Sequence, residues 1–212
     1  GFYIIDNFKI GSWNLQRGLR YDINQLKVED RTMADNSSQR DLNSFSGSLG
    51  LSYELKEGRN LFGNISTSFE TPALTELSSN PDGGTGFNSS IEPQQAINYE
   101  VGYKSNSSKF QWNAALFFID TQDDLVPFEL AAFPDRTFYR NAGSSHRYGL
   151  ELYGNLNVTK NISLRSSYTY SDFTYETYLS NGDDLSDNQL PGIPKHQASL
   201  GLNYQSGDGW IM

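Results

Sequence analysis

The sequence predicts an all-β fold, an antiparallel transmembrane β-barrel segment of about ten strands. Three observations predict it. Apolar and polar residues alternate along most of the chain, which is the period of a strand with two different faces. The candidate strands run from roughly 8 to 19 residues, longer than the ~5–6 usual in soluble sheets. The connections between them alternate strictly between short and long. That asymmetry belongs to outer-membrane barrels, with short periplasmic turns, long extracellular loops, an apolar outside and a polar inside.

The candidate strands lie near 1–9, 12–21, 42–55, 61–69, 97–104, 110–126, 138–156, 161–172 and 195–204, with a tenth starting at Trp210. In 42–55, Leu49, Leu51, Tyr53 and Leu55 oppose Ser48, Gly50, Ser52 and Glu54. In 97–104, Tyr99, Val101 and Tyr103 oppose Asn98, Glu100, Gly102 and Lys104. In 110–126, Phe110, Trp112, Ala114, Leu116 and Phe118 share a face. Tyr148, Leu150 and Leu152 oppose Gly149, Glu151 and Tyr153, and Leu200, Leu202 and Tyr204 oppose Ser199, Gly201 and Asn203. A lipid-facing Val101 and a lumen-facing Gly102 predict that Val101→Arg harms assembly more than Gly102→Arg.

Short turns begin at 56, 105, 158 and 205, at intervals of 49, 53 and 47 residues. Long polar connections fall at 22–41, 70–96, 127–137 and 173–194. A short helical stretch fits within 71–79, capped by Thr71 or Ser68 with Pro72 near its first position. Tyr103, Phe110, Trp112, Tyr204 and Trp210 flank the short turns, where an interfacial aromatic girdle belongs. The competing reading places these aromatics in a sandwich core.

Composition narrows the function. The formal net charge of −9 argues against nonspecific nucleic-acid binding. There is no cysteine, which removes disulfides and cysteine chemistry, and His146 and His196 are too few for a His-rich metal site. No run approaches the ~18 apolar residues of a membrane helix. The mean hydropathy of −0.58 is compatible with a barrel, because only every second strand residue meets lipid. No cofactor, metal site or catalytic constellation is read from the residues, so an enzyme is not expected.

Five blocks carry a family resemblance: "NISTSFETPALTEL" (64–77), "EPQQAINYEVGYK" (92–104), "WNAALFFIDTQDDLV" (112–126), "YRNAGSSHRYGLELYG" (139–154) and "LPGIPKHQASLGLNY" (190–204). In this order and spacing the chain resembles the β-barrel domain of TonB-dependent outer-membrane receptors. "NFKIGSWNLQRGLRYD" (7–22) resembles the strand pair that precedes them. The resemblance implies a 22-stranded barrel filled by a plug, placed in the bacterial outer membrane and energised through the TonB complex. It implies uptake of a scarce, large ligand, a ferric siderophore above all. Residues 1–212 then read as a partial barrel domain, without plug, TonB box or terminal strands. The expected partners are the TonB complex through that plug, the lipid and lipopolysaccharide of the outer membrane, and the ligand itself. The alternatives are a passive porin-type channel and a structural or adhesive β protein with loops as its interaction surface.

Candidate site residues follow from side-chain phase. Glu100, Lys104, Glu151 and Arg165 fall on the lumen face, where they meet either a plug or a cross-strand partner. Arg136, Arg140 and Arg147 concentrate positive charge near the outer mouth and suit an anionic ligand. Pairing with nearby acidic loops is the competing role. Gly143, Ser144 and Ser145 suggest a bulge there. Phe87, Phe128 and Phe133 lie in or beside long loops and either stack on a ligand or pack loop on loop. The loops 70–96 and 173–194 are acidic and hold no Lys or Arg before Lys195, which weighs against a highly anionic ligand. "DDLSD" (183–187) reads as a solvated turn; it has no full EF-hand pattern for Ca²⁺.

Overall fold

A computed structural model describes residues 1–31, 37–141, 143–180 and 183–205. The strands are β1 (Phe2–Ile10), β2 (Trp13–Asp22), β3 (Gln25–Val28), β4 (Ser38–Asp41), β5 (Ser44–Lys56) and β6 (Arg59–Glu70). After the helix α1 (Leu74–Ser78) come β7 (Gln94–Asn106), β8 (Phe110–Gln122), β9 (Leu125–Leu130), β10 (Phe133–Asn141), β11 (Gly143–Asn157), β12 (Ile162–Ser180), β13 (Asp183–Asp184) and β14 (His196–Tyr204).

Nine long strands make one wall, in the order β1-β2-β5-β6-β7-β8-β11-β12, with β14 also on β12. Every neighbouring pair is antiparallel. This is the meander that the sequence predicts. Trp210 and residues 206–209 of the last expected turn lie outside the described residues. At the short-turn end, Gly11 and Gly58 hold φ of +55° and +71° in two-residue links, conformations that L side chains avoid.

The long connections are more ordered than the sequence suggests. Residues 22–41 contain the hairpin β3–β4, and 125–141 form the hairpin β9–β10. The expected strands 110–126 and 138–156 are therefore each two strands. Asp123, at φ +59°, breaks the first, although Leu125 and Val126 carry the alternation on. Likewise β12 runs on to Ser180, because its upper half pairs with Gly143–Arg147 of β11. The expected bulge exists between Ser144 and Ser145. The short helix exists as well, but Ala73 caps it, not Thr71 or Ser68. The Ala73 N–H donates to the Glu76 carboxylate (2.7 Å), and this sets the first turn.

The two wall faces differ as the phase predicts. Val101 and Leu116 are each 57% exposed, and Leu49, Leu61, Leu150 and Leu200 lie in the same phase. On the opposite face Ala115 is 3% exposed, and Asn98, Glu100 and Gly102 are half-buried. A water-soluble sheet would shelter its leucines and expose its asparagines. In the central strands β5 to β8 the polar face is the more sheltered and the apolar face is open, as lipid requires. No helix among the described residues is long and apolar enough to cross a membrane, and strands do that work here.

Aromatic rings mark both edges of the apolar band. Near the short turns Trp13 packs on Tyr53 (4.6 Å between centroids) and Tyr103 on Trp112 (4.8 Å). Toward the loop end Tyr99 meets Phe118 (6.0 Å), and Tyr170 meets His196 (5.3 Å). In β8 the outward set runs from Phe110 to Phe118, nine residues, before Asp120 ends it. That matches the ~9–11 residues of a transmembrane strand.

Among the described residues one ion pair lies within this band. Asp6 and Arg17 are paired across β1 and β2 (2.8 Å), in the phase of Ile4, Phe8, Leu15 and Leu19. Two apolar rungs lie on either side of them. Each charge cancels its neighbour, where a single charge facing lipid at that depth would cost about 2–4 kcal/mol. On the lumen face, glycines make room for rings. A Cβ on Gly102 would overlap the Phe62 ring, and one on Gly149 would overlap Phe117 and the Tyr170 carbonyl. Gly102→Arg is thus sterically costly for a reason unrelated to its face, and it cannot serve as the mild partner of Val101→Arg.

A matched pair at one depth replaces it. Leu116 faces outward beside Leu150, and one residue along that ladder Thr169 faces inward opposite Glu151. Leu116→Arg is expected to lower folding yield into lipid vesicles, by about 2–4 kcal/mol of stability. Thr169→Arg gains Glu151 as partner and is expected to fold near wild-type yield; equal yields would refute the face assignment. Asp6→Leu strands Arg17 in the apolar band, so it should reduce assembly, and adding Arg17→Leu should restore it.

Candidate functional site

The wall delivers its site through the long loops. Behind β8 the chain turns at Asp123 and Asp124 into the β9–β10 hairpin. Four of the expected site residues meet on this hairpin. Phe138 is fully buried at its centre, with Phe128 and Phe133 at 5.9 and 5.8 Å between ring centroids. The Arg136 guanidinium lies 5.0 Å above the Phe138 ring, and that of Arg140 lies 4.8 Å above Phe128. A ring face attracts a cation without neutralising its charge. Arg140 also donates from Nη2 to the Leu179 carbonyl (3.1 Å), tying the hairpin to the top of β12. Its Nε is buried without a partner. The hairpin therefore presents two guanidiniums fixed on aromatic supports.

Arg147 sits elsewhere and does other work. Its Nη2 meets Asp124 Oδ1 at 2.6 Å, and its Nε donates to Ser145 Oγ at 3.1 Å. Asp124 is only 4% exposed. A buried carboxylate needs such a partner, and removing either half leaves an uncompensated charge. Arg147 is thus committed to the root of the hairpin. Its partner is an acid of the 123–124 link and not of the acidic loops.

Phe87 also lies apart from the arginines. It packs against a small core of Leu42, Leu77 and Ile91, with Leu26, Phe69, Leu125 and Tyr139 around it. Its N–H donates to Ser38 Oγ (3.1 Å). This is the loop-on-loop role. The core gathers residues from 22–41, 70–96 and the β9–β10 hairpin into one outer layer.

Two polar residues that sequence reasoning missed fasten that layer. Asn141 Nδ2 donates to the carbonyls of Glu92 and Asp123 (2.8 Å each), and its Oδ1 accepts from the Glu92 N–H (2.7 Å). Arg40 donates to the Asn88 carbonyl (3.2 Å) and to the Glu92 carboxylate (3.0 Å). Their partners lie 18 to 52 residues away, and no local pattern announces such contacts. In the loop 173–194 the Ser186 hydroxyl and N–H hold the Asp184 carboxyl below its ordinary pKa. That is an Asx turn, in accord with a solvated "DDLSD".

Below the loops, Glu100, Lys104, Glu151 and Arg165 share the polar wall face, as their phase predicts. Glu100 accepts from Asn64 Nδ2 (2.8 Å). Lys104 stands between Asn60 and Asn113, and Arg165 between Asn155 and Gly201. Among the described residues none of the four takes part in an ion pair.

Residues 1–211 match the family model "TonB dependent receptor-like, beta-barrel". The probable TonB-dependent siderophore receptor PiuA of Acinetobacter baumannii is 26% identical over 220 residues, covering 96% of this chain and 28% of that protein. The metal-pseudopaline receptor CntO of Pseudomonas aeruginosa is 25% identical over 198 residues, covering 91% and 25%. The solved structure of the copper transporter OprC superposes with a TM-score of 0.74 at 23% identity, over 94% of this chain and 31% of that one. The chain thus spans about a quarter to a third of the length of these relatives.

Asn141→Ala removes three hydrogen bonds that span 18 and 49 residues of sequence. It should destabilise the outer layer by about 1–3 kcal/mol and leave the wall intact. Limited proteolysis checks this: cleavage within 70–96 should quicken while the strands stay protected. Unchanged cleavage would refute the clamp.

Proposed function

We propose that this chain, which belongs to the TonB-dependent receptor-like β-barrel family, forms part of the wall and outer mouth of an active-transport receptor for a ferric siderophore. The family consists of receptors and transporters of the Gram-negative outer membrane, among them siderophore, metal and vitamin B12 receptors. On this reading residues 1–212 are a partial barrel domain, and the plug and TonB box belong to other parts of the receptor.

The observation that carries the ligand class is the pair of guanidiniums, Arg136 and Arg140, mounted on Phe138 and Phe128 at the loop end. Rings and fixed cations together suit a ligand that is both aromatic or apolar in part and anionic in part, such as an iron chelate. The acidic loops around them favour a chelate of modest net charge. Arg147 supports the hairpin through Asp124, and Phe87 supports the loop core. Phe133, 37% exposed at the hairpin tip, offers a further stacking surface.

Capture by the hairpin would be followed by release through a moving plug. Glu100, Lys104, Glu151 and Arg165 suit contact with such a plug, since the described wall supplies them no ion-pair partner. Lipopolysaccharide is the expected neighbour of the outer rim. The names of PiuA and CntO, a siderophore receptor and a metal-pseudopaline receptor, support the ligand class.

The test uses the intact receptor in a strain without other siderophore receptors, supplied with radiolabelled ferric catecholates and ferric hydroxamates. At least one chelate should enter, and only when TonB is present. The double change Arg136→Ala and Arg140→Ala should weaken its binding about tenfold or more, a charge-assisted hydrogen bond to an anionic oxygen being worth roughly 1.5–3 kcal/mol. Entry that persists without TonB would establish a passive channel instead. Entry of no chelate, with the receptor assembled, would overturn the ligand assignment.

A further inference from the structure

Outside the mouth, on the opposite face of the wall, three metal-ligating side chains converge. We propose that Asp120, His146 and Glu176 bind a divalent transition-metal ion of the zinc class on the outer rim of the barrel. The site rests on the wall geometry alone and is independent of the ligand assignment above.

Asp120 and His146 face each other across β8 and β11, one rung beyond Phe118 and Tyr148. They therefore sit where the outward apolar band ends. Glu176 comes there from β12, beside the bulge in its pairing with β11. Ser144 pairs with Thr177 and Ser145 with Tyr175, so Glu176 is the extra residue of β12. The extra residue of a bulge is left outside the ladder pairing. Thr174 pairs with His146, so Glu176, two residues further on, has the outward phase by alternation as well.

The distances suit coordination. His146 Nε2 lies 3.5 Å from Glu176 Oε2 and 3.8 Å from Asp120 Oδ1, and all three ligand atoms lie within 4.8 Å of one another. Tetrahedral zinc with bonds of about 2.0–2.2 Å separates its ligands by roughly 3.4 Å. Small carboxylate rotations close the remaining gap. Three protein ligands leave a fourth position open, as in zinc sites that hold water or an anion. An imidazole with two carboxylates selects zinc, cobalt, nickel or copper over magnesium and calcium, which take oxygen alone.

The surroundings support the ligands. Ser144 Oγ donates to Glu176 Oε2 (2.8 Å), and Gln122 Nε2 donates to Asp120 Oδ1 (3.1 Å). The His146 ring is steadied by Phe118 (5.4 Å between centroids). Such outer contacts orient ligands for a metal. Among the described residues no Lys or Arg pairs with either carboxylate, so two acids converge with only an imidazole between them. A dication there would staple β8, β11 and β12 together across the bulge. All three side chains are between 34% and 46% exposed, which leaves the ion a path in.

The experiment uses the full-length receptor, folded in detergent, stripped with chelator and titrated with ZnCl₂ by calorimetry. Thermal unfolding is followed with and without Zn²⁺. Wild-type protein should bind one more equivalent than His146→Ala, or bind it at least tenfold more tightly, and His196→Ala should behave as wild type. Zn²⁺ should raise the unfolding temperature of wild type and not of His146→Ala. Excess Mg²⁺ should not compete. Identical Zn²⁺ titrations of wild type and His146→Ala would overturn the site and leave a histidine ion pair in its place. Should His146→Ala fail to assemble, Asp120→Asn with Glu176→Gln preserves shape. That variant must lose the same equivalent, and retention of it would equally overturn the proposal.

Discussion

Everything in this structure depends on a strand having two faces in two solvents. In the hydrocarbon region each backbone N–H and C=O must find a partner within the sheet, because lipid offers none. An antiparallel meander of long strands meets that demand. Alternation then gives one face to lipid and the other to a hydrated interior. The consequence is visible in single rungs. Leu116 stands open between Val101 and Leu150, while its neighbour Ala115 is sheltered beside Gly102 and Glu151. The leucine is stable in the open only because that surface is not meant for water.

The same constraint assigns meaning to the charges. On the lumen face a charge is ordinary, and four of them stand without ion-pair partners among the described residues. On the lipid face a charge demands an explanation. Asp6 and Arg17 supply theirs by pairing at 2.8 Å. Asp120 and His146 supply theirs by position, one rung past the last aromatic ring, where lipid gives way to headgroups. Depth along the strand therefore matters as much as face.

The loops obey different rules. They are not a fringe on the wall but a layer with its own core, built on Leu42, Leu77 and Ile91. Asn141 and Arg40 stitch segments of distant sequence into it. The β9–β10 hairpin is rooted by Arg147 on the buried Asp124 and stands on that layer through Leu125 and Tyr139. Arg136 and Arg140 owe their fixed positions to this chain of supports. A loop layer built so can hold cations in place while remaining polar and acidic.

The sequence by itself determined the wall. Strand phase is a local property, repeated every second residue, so Val101, Leu116, Leu150 and Leu200 could be assigned to one face from their spacing. The short turns, the bulge at 143–145 and the short helix near 74–78 were legible for the same local reason. The tertiary structure alone decided how the long connections are used. The alternation through Leu125 and Val126 hid the break at Asp123, since a hairpin arm and a continuing strand have the same period. Which arginine stacks, which pairs and which faces out depended on partners tens of residues away: Phe138 for Arg136, Phe128 and Leu179 for Arg140, Asp124 for Arg147. Glu176 meets His146 only because β11 and β12 pair in this register, and no local pattern in either strand reports it. Periodicity encodes a face, but it carries no information about which distant loop will fold over it.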